Sequence, residues 1–162
     1  MGQGSRGRPR GTTGKAAALS PAQIKQVFRA ARRVRHGDRA EVALALSIEL
    51  GLRASELAAL DWSDVYNPDG TVRSAIYVER AYTRGSKTRV VVSSPKLRSL
   101  LADYREKQAP DWCECDQDAP FFRSQRGGHM TSASMARFVT GLYRRAVIAG
   151  GSSRSGRRTL FS

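Results

Sequence analysis

Apolar residues first recur at helical spacing in Ile24, Val27, Phe28 and Ala31. Ser20 is a good N-cap, Pro21 fits the first helical position and Gln23 can complete a capping box, so a helix is predicted from there. A second run, Val42, Leu46, Ile48 and Leu50, is apolar enough for a central helix. Asp38 and Glu41 are expected to open it as a second capping box, and Gly51 to stop it. "RASELAALDW", residues 53–62, predicts a short third helix. After Trp62 the period changes. "NPDG" at 67–70 is a turn, "SAIYVERAYT" at 74–83 alternates like a strand, "RGSK" at 84–87 turns, and the β-branched "TRVVVSS" at 88–94 predicts its antiparallel partner.

Pro95 starts another amphipathic helix, with Leu97, Leu100, Leu101 and Tyr104 on one side. An acidic loop and "RSQRGGHM" follow. A long helix is then expected from Ser132 to Ile148, carrying Met135, Phe138, Val139, Leu142 and Ala146 and ended by Gly150 and Gly151. Gly151 to Ser153 read as a loop into a last helix bearing Arg157, Arg158, Thr159, Leu160 and Phe161. The order is helices, small sheet, helices, with no repeat and no strand–helix alternation. The fold class is therefore α+β, mostly helical, with a small antiparallel β-sheet. At 162 residues one domain is expected, over 20–162. Residues 1–19 have almost nothing to bury and are expected to be a disordered basic tail. Within it, "RGRPRG" resembles an AT-hook core but is read here as a solvated basic leader.

Charge adds a partner to this picture. The chain carries 28 Lys and Arg against 14 Asp and Glu, a net +14 with a pI near 11.0. Residues 1–40 hold ten of the cations and one acid, Asp38, and after Asp118 there are eight arginines and no acid. Basic ends on a chain of ordinary hydrophobicity point to a polyanion, and duplex DNA leads. A membrane is disfavoured, since no apolar stretch approaches the ~18 residues of a spanning helix. The N-terminus has no apolar signal core, so a cytoplasmic location is expected, nucleoid-associated when DNA is bound. Cys113 and Cys115 sit too close to pair without strain and have too few neighbouring ligands for a metal. They are read as reduced thiols on an acidic surface loop, and His129 as a loop histidine. Neither a metal nor a small-molecule cofactor is expected.

The informative stretch is "GLRASELAALDW". An arginine just after a glycine helix stop, with an apolar helix on each side, is held by rigid walls while its guanidinium stays reachable. Four segments, "ELGLRASELAALDWSDV", "TRGSKTRVVVSSPKL", "PFFRSQRGGHMT" and "GSSRSGRRTLFS", together resemble, in order and spacing, the catalytic domain of tyrosine recombinases, the phage-integrase type. The likeness covers roughly residues 20–162. It implies DNA integration and recombination in a bacterial mobile element, such as a phage or plasmid. The family's reaction is attack of a tyrosine hydroxyl on a DNA phosphodiester, giving a 3′-phosphotyrosyl link. Negative charge grows on the two non-bridging oxygens, which planar guanidiniums can meet bidentately. By resemblance Arg53 and Arg157 are these clamps, and Glu56 supports Arg53. Arg84, Arg154 and Arg158 are expected to bind the substrate.

Three departures qualify the resemblance. The family often has its general-acid lysine on the hairpin turn where Arg84 stands here; if Arg84, a poor acid, fills that position, Lys87 three residues on is the candidate to substitute. The His-x-x-Arg box reads "RSGR", so Arg154 stands where a proton-exchanging histidine belongs. The family's nucleophilic tyrosine lies some tens of residues beyond the box. Tyr66, Tyr77, Tyr82, Tyr104 and Tyr143 all precede it and read as core or sheet aromatics. The expectation is a truncated catalytic domain that binds duplex DNA without cleaving it alone, with Leu160 and Phe161 exposed or held only by the preceding helix. Regulation of an intact recombinase, self-association on DNA and, further off, RNA binding are the other readings.

Overall fold

The computed structural model describes residues 16–78 and 89–160. Among the described residues seven α-helices, α1 (Pro21–Arg33), α2 (Gly37–Leu50), α3 (Ala54–Ala59), α4 (Trp62–Val65), α5 (Pro95–Gln108), α6 (Ser132–Arg145) and α7 (Ser155–Leu160), and one 3-10 turn (Trp112–Glu114) accompany a hairpin of β1 (Ala75–Val78) and β2 (Arg89–Val92). The strands are antiparallel with Ala75 opposite Val92 and Val78 opposite Arg89. Ile76 and Val78 are buried, whereas Tyr77, Val90 and Val92 face outward. The turn expected at 84–87 lies outside the described residues.

The α1 start matches its sequence. Ser20 Oγ accepts the Gln23 N–H and the Gln23 side chain accepts the Ser20 N–H at 2.9 Å. The capping box expected at the start of α2 does not form. His36 occupies the N-cap in the left-handed region without a side-chain cap, and the helix begins at Gly37, so both acids fall inside it and are engaged in ion pairs instead. Asp38 meets Lys107 and Glu41 meets Arg32. Nearly every residue of α2 from Ala40 to Leu50 is buried, so it is the axis on which α1, α5 and α7 pack.

The third predicted helix divides. Leu60 and Asp61 are extended, and Asp61 begins α4 by donating its N–H to Asp64 Oδ2 at 2.8 Å. That break seats Trp62 among Tyr66, Tyr104 and Phe121, with ring centroids 5.5, 6.0 and 5.0 Å away. Tyr66 OH donates to Leu101 O at 2.7 Å, which ties this aromatic cluster to α5.

The sixth helix ends at Arg145 rather than Ile148. Val147 takes φ 58, its N–H donates to Arg144 O, and the Ile148 N–H donates to Tyr143 O. This is a Schellman ending with a β-branched residue where glycine is usual. Ile148 is buried and Val147 is 85% exposed. Burial of Ile148 therefore sets the end, ahead of the two glycines.

Residues 16–19 were expected within the tail, yet Ala16 and Leu19 are buried. The Ala17 N–H donates to Gly150 O at 3.1 Å and the Leu19 N–H to Thr159 Oγ1 at 2.8 Å. This strand of chain straps the end of α7 to the start of α1.

Candidate functional site

Gly51 ends α2 at φ 65, a conformation that suits a residue without Cβ. The turn buries Leu52 and leaves Arg53 exposed at the N-cap of α3. Glu56, only 4% exposed, sits one turn into α3. Its Oε1 accepts the Arg53 backbone N–H at 3.1 Å, and its Oε2 accepts from Arg89 Nη2 at 2.8 Å. Arg157 Nη1 lies 3.9 Å from Oε1 and donates to Gly51 O at 3.1 Å. Glu56 thus fixes the backbone under Arg53 and draws in guanidiniums from β2 and α7. It was expected to support Arg53, and it does so through the main chain.

The short helix α7 is seated by close approach. A Cβ on Gly156 would lie 2.4 Å from Ser47 Oγ and 2.8 Å from the Ser47 backbone C and O. Only glycine lets α7 come this near α2. The Thr159 hydroxyl donates to Ser155 O at 2.7 Å while accepting from Leu19, and the Ser153 N–H donates to Thr140 Oγ1 at 3.0 Å. Arg157 is therefore held from both ends of its helix. Arg158, on the same helix, and Arg154, in the turn just before it, are exposed.

Two guanidiniums, of Arg89 and Arg157, at one buried carboxylate, with the exposed Arg53 on the backbone that this carboxylate fixes, leave a positive excess where Arg53 meets solvent. A buried carboxylate with ionic and backbone partners is tolerated, and removing one partner exposes the cost of the rest. The arrangement suits an anion with several oxygens, for which planar guanidiniums are apt. The structure brings Arg157 to Gly51 O, two residues before Arg53, and leaves Arg154 and Arg158 exposed. Arg84 and Lys87 lie outside the described residues.

Arg89 was missed. In the sequence it is the polar start of a β-branched strand, and the only cue was a motif glutamate with no assigned counter-ion. The pair of His129 Nε2 with Asp61 Oδ1, at 2.6 Å, was missed too; it pins the exposed "RSQRGGHM" loop to the start of α4. Of the tyrosines, Tyr66, Tyr104 and Tyr143 are buried and Tyr77 faces out, while Tyr82 is outside the described residues. Burial pushes all three buried phenols up, that of Tyr104 to about 12. Cys113 and Cys115 are free thiols, and Leu160 is 43% exposed. Among the described residues no helix is long and apolar enough to cross a membrane.

A helical domain on one central helix, with a hairpin and an arginine helix meeting at a buried glutamate, has the fold of tyrosine-recombinase catalytic domains. The chain belongs to the phage integrase family, whose model matches residues 17–159. The structure is similar to XerA recombinase (TM-score 0.70, 23% identity, covering 95% of this chain and 50% of that one). It is also similar to the Tn1549 transposon integrase solved with transposon right-end DNA (0.66, 17%, 92% and 53%). A third likeness is to the integrase from mycobacterium phage Brujita (0.62, 17%, 96% and 46%). The chain spans about half the length of these proteins. No curated protein sequence matches it.

Proposed function

We propose that this chain binds duplex DNA through its backbone and supplies the arginine part of a site-specific recombinase centre. The observation that carries this reading is that Arg157, from the far end of the chain, reaches Gly51 O and Glu56, the same carboxylate that fixes the backbone of Arg53. Arg53 presents its free guanidinium to one non-bridging oxygen of a phosphodiester and Arg157 to the other. Glu56 and Arg89 position them. Arg154 and Arg158 add contacts to neighbouring phosphates, and Lys87, with Arg84 beside it, is the candidate proton donor to a leaving 5′-oxygen.

Strand attack is not assigned to Tyr66, Tyr104 or Tyr143. A nucleophilic phenol must be reachable and able to lose its proton, and burial opposes both. Arg154 in the histidine slot binds an anion and exchanges no proton near neutral pH. These features support binding without cleavage by the described residues. The Tn1549 integrase, similar in fold, was solved with transposon DNA, which supports a duplex partner.

The test is titration of labelled duplex DNA and of single-stranded RNA, read by fluorescence anisotropy. Arg53→Ala and Arg157→Ala should each weaken duplex binding about tenfold or more, as expected for loss of a charge-assisted contact. Lys107→Ala, on the far end of α5, should change it little. Tighter binding to RNA with equal effects of all three substitutions would replace this reading by general polyanion binding.

A further inference from the structure

On α1, Lys25, Arg29 and Arg33 stand four residues apart and are all exposed. No acid occurs between Pro21 and Arg33. The nearest acids that follow are engaged elsewhere, Glu41 with Arg32 at 3.1 Å and Asp38 with Lys107 at 3.4 Å. Among the described residues none of Lys25, Arg29 and Arg33 has an ion-pair partner. A helix face that only meets water usually mixes signs and gains from pairs at this spacing. Here like charges one turn apart repel instead. That repulsion is relieved when a polyanion lies along the stripe.

The opposite side of α1 is committed to the core through Val27 and Ala31, with Ile24 and Phe28 packed beside them. No apolar flank is left for insertion among lipids, so the face fits a hydrated phosphate backbone better than a membrane. The stripe spans about 12 Å at 1.5 Å per residue, enough for several phosphates along one strand. The helix is also fastened to the arginine site. Leu19, just before it, donates to Thr159 of α7, and Gln26 Nε2 donates to Ala146 O beyond α6. Upstream, the sequence adds Arg6, Arg8, Arg10 and Lys15.

We propose that the outer face of α1, through Lys25, Arg29 and Arg33, is a second docking surface for the DNA backbone, separate from the Arg53–Arg157 site. This rests on the reading of the chain as a duplex-DNA binder, and names where a second stretch of backbone is held. The contacts are to phosphate, so they are independent of base sequence.

The full chain would be titrated with two unrelated labelled duplexes over a range of salt concentrations. Variants are Lys25→Gln/Arg29→Gln/Arg33→Gln together, Arg29→Gln and Arg33→Gln singly, and Arg53→Gln. The log–log salt slope should become shallower by about 2.7 in the triple variant and about 0.9 in each single one, equally on both duplexes, at roughly 0.9 per lost phosphate contact. Melting followed by circular dichroism should not fall below the wild-type temperature, and rises slightly as the like-charge repulsion is removed. An unchanged slope in all three α1 variants, with Arg53→Gln still weakening binding, overturns the second surface and leaves the duplex reading standing. Absence of wild-type binding to either duplex at low salt overturns both. Binding to phosphatidylserine vesicles that exceeds duplex binding and is lost in the triple variant assigns the stripe to membranes and overturns the proposal.

Discussion

Replacing Gly156 by alanine tests how tightly α7 is seated. The added Cβ would stand 2.4 Å from Ser47 Oγ, which could rotate away, and 2.8 Å from the Ser47 carbonyl carbon and oxygen, which cannot. Those atoms belong to the buried middle of α2, so the strain falls on α7. Overpacking of this kind costs about 1–3 kcal/mol, and alanine's better helix propensity offsets at most about 1 kcal/mol. The clash with backbone at 2.8 Å puts the cost at about 2–3 kcal/mol, so the balance is about 1–2 kcal/mol, a melting temperature lower by roughly 2–8 °C for a domain of this size. Any outward shift of α7 also lengthens the 3.1 Å bond from Arg157 to Gly51 O. Thermal melting by circular dichroism and duplex titration should therefore fall together. An alanine variant that melts and binds like the wild type would refute the close seating of α7 on Ser47.

The Ser47 hydroxyl is buried with no partner, so Ser47→Ala should raise stability by about 1 kcal/mol in urea melts; a loss of that size would mean the hydroxyl has a use. Val147→Gly relieves a left-handed valine, worth about 1–2 kcal/mol, against a loss of about 0.5–1 kcal/mol from the freer unfolded chain. Its urea midpoint should therefore rise slightly, and a fall would contradict the helix ending described. The raised phenols set the alkaline behaviour. Their folded pKa values lie above the unfolded value of about 10, so their contribution is fully present below that pH and is lost as pH rises through the folded values, about 12 for Tyr104. Urea midpoints should start to fall above about pH 10, and phenolate absorbance from these three should appear only with unfolding. Early, reversible ionisation of all tyrosines would show that they are not buried.

Much of the fold was legible because its signals are local. Ser20, Pro21 and Gln23 state a helix start in four residues, and β-branched Val90, Val91 and Val92 state a strand. The misreadings arose where distant contacts outweigh local preference. Asp38 and Glu41 look like caps until Lys107 and Arg32 engage them. Ile148 ends α6 early because its burial outweighs the cost of a left-handed valine. Arg53 and Arg157 could be singled out through the resemblance of their short segments to a family, since such segments are read in one dimension. Arg89 could not, since its importance lies in reaching Glu56 from 33 positions away. Gly156 likewise looks like an ordinary loop glycine until Ser47 is placed against it.

A double-mutant cycle on duplex binding bears most directly on the central claim that Arg53 and Arg157 grip one phosphodiester. Binding would be measured for the wild type, Arg53→Ala, Arg157→Ala and the double variant. Two groups sharing one phosphate should couple, with the double variant losing less than the sum of the single losses by about 0.5–3 kcal/mol. Losses that add within about 0.3–0.5 kcal/mol would place the two arginines on independent contacts and contradict the account.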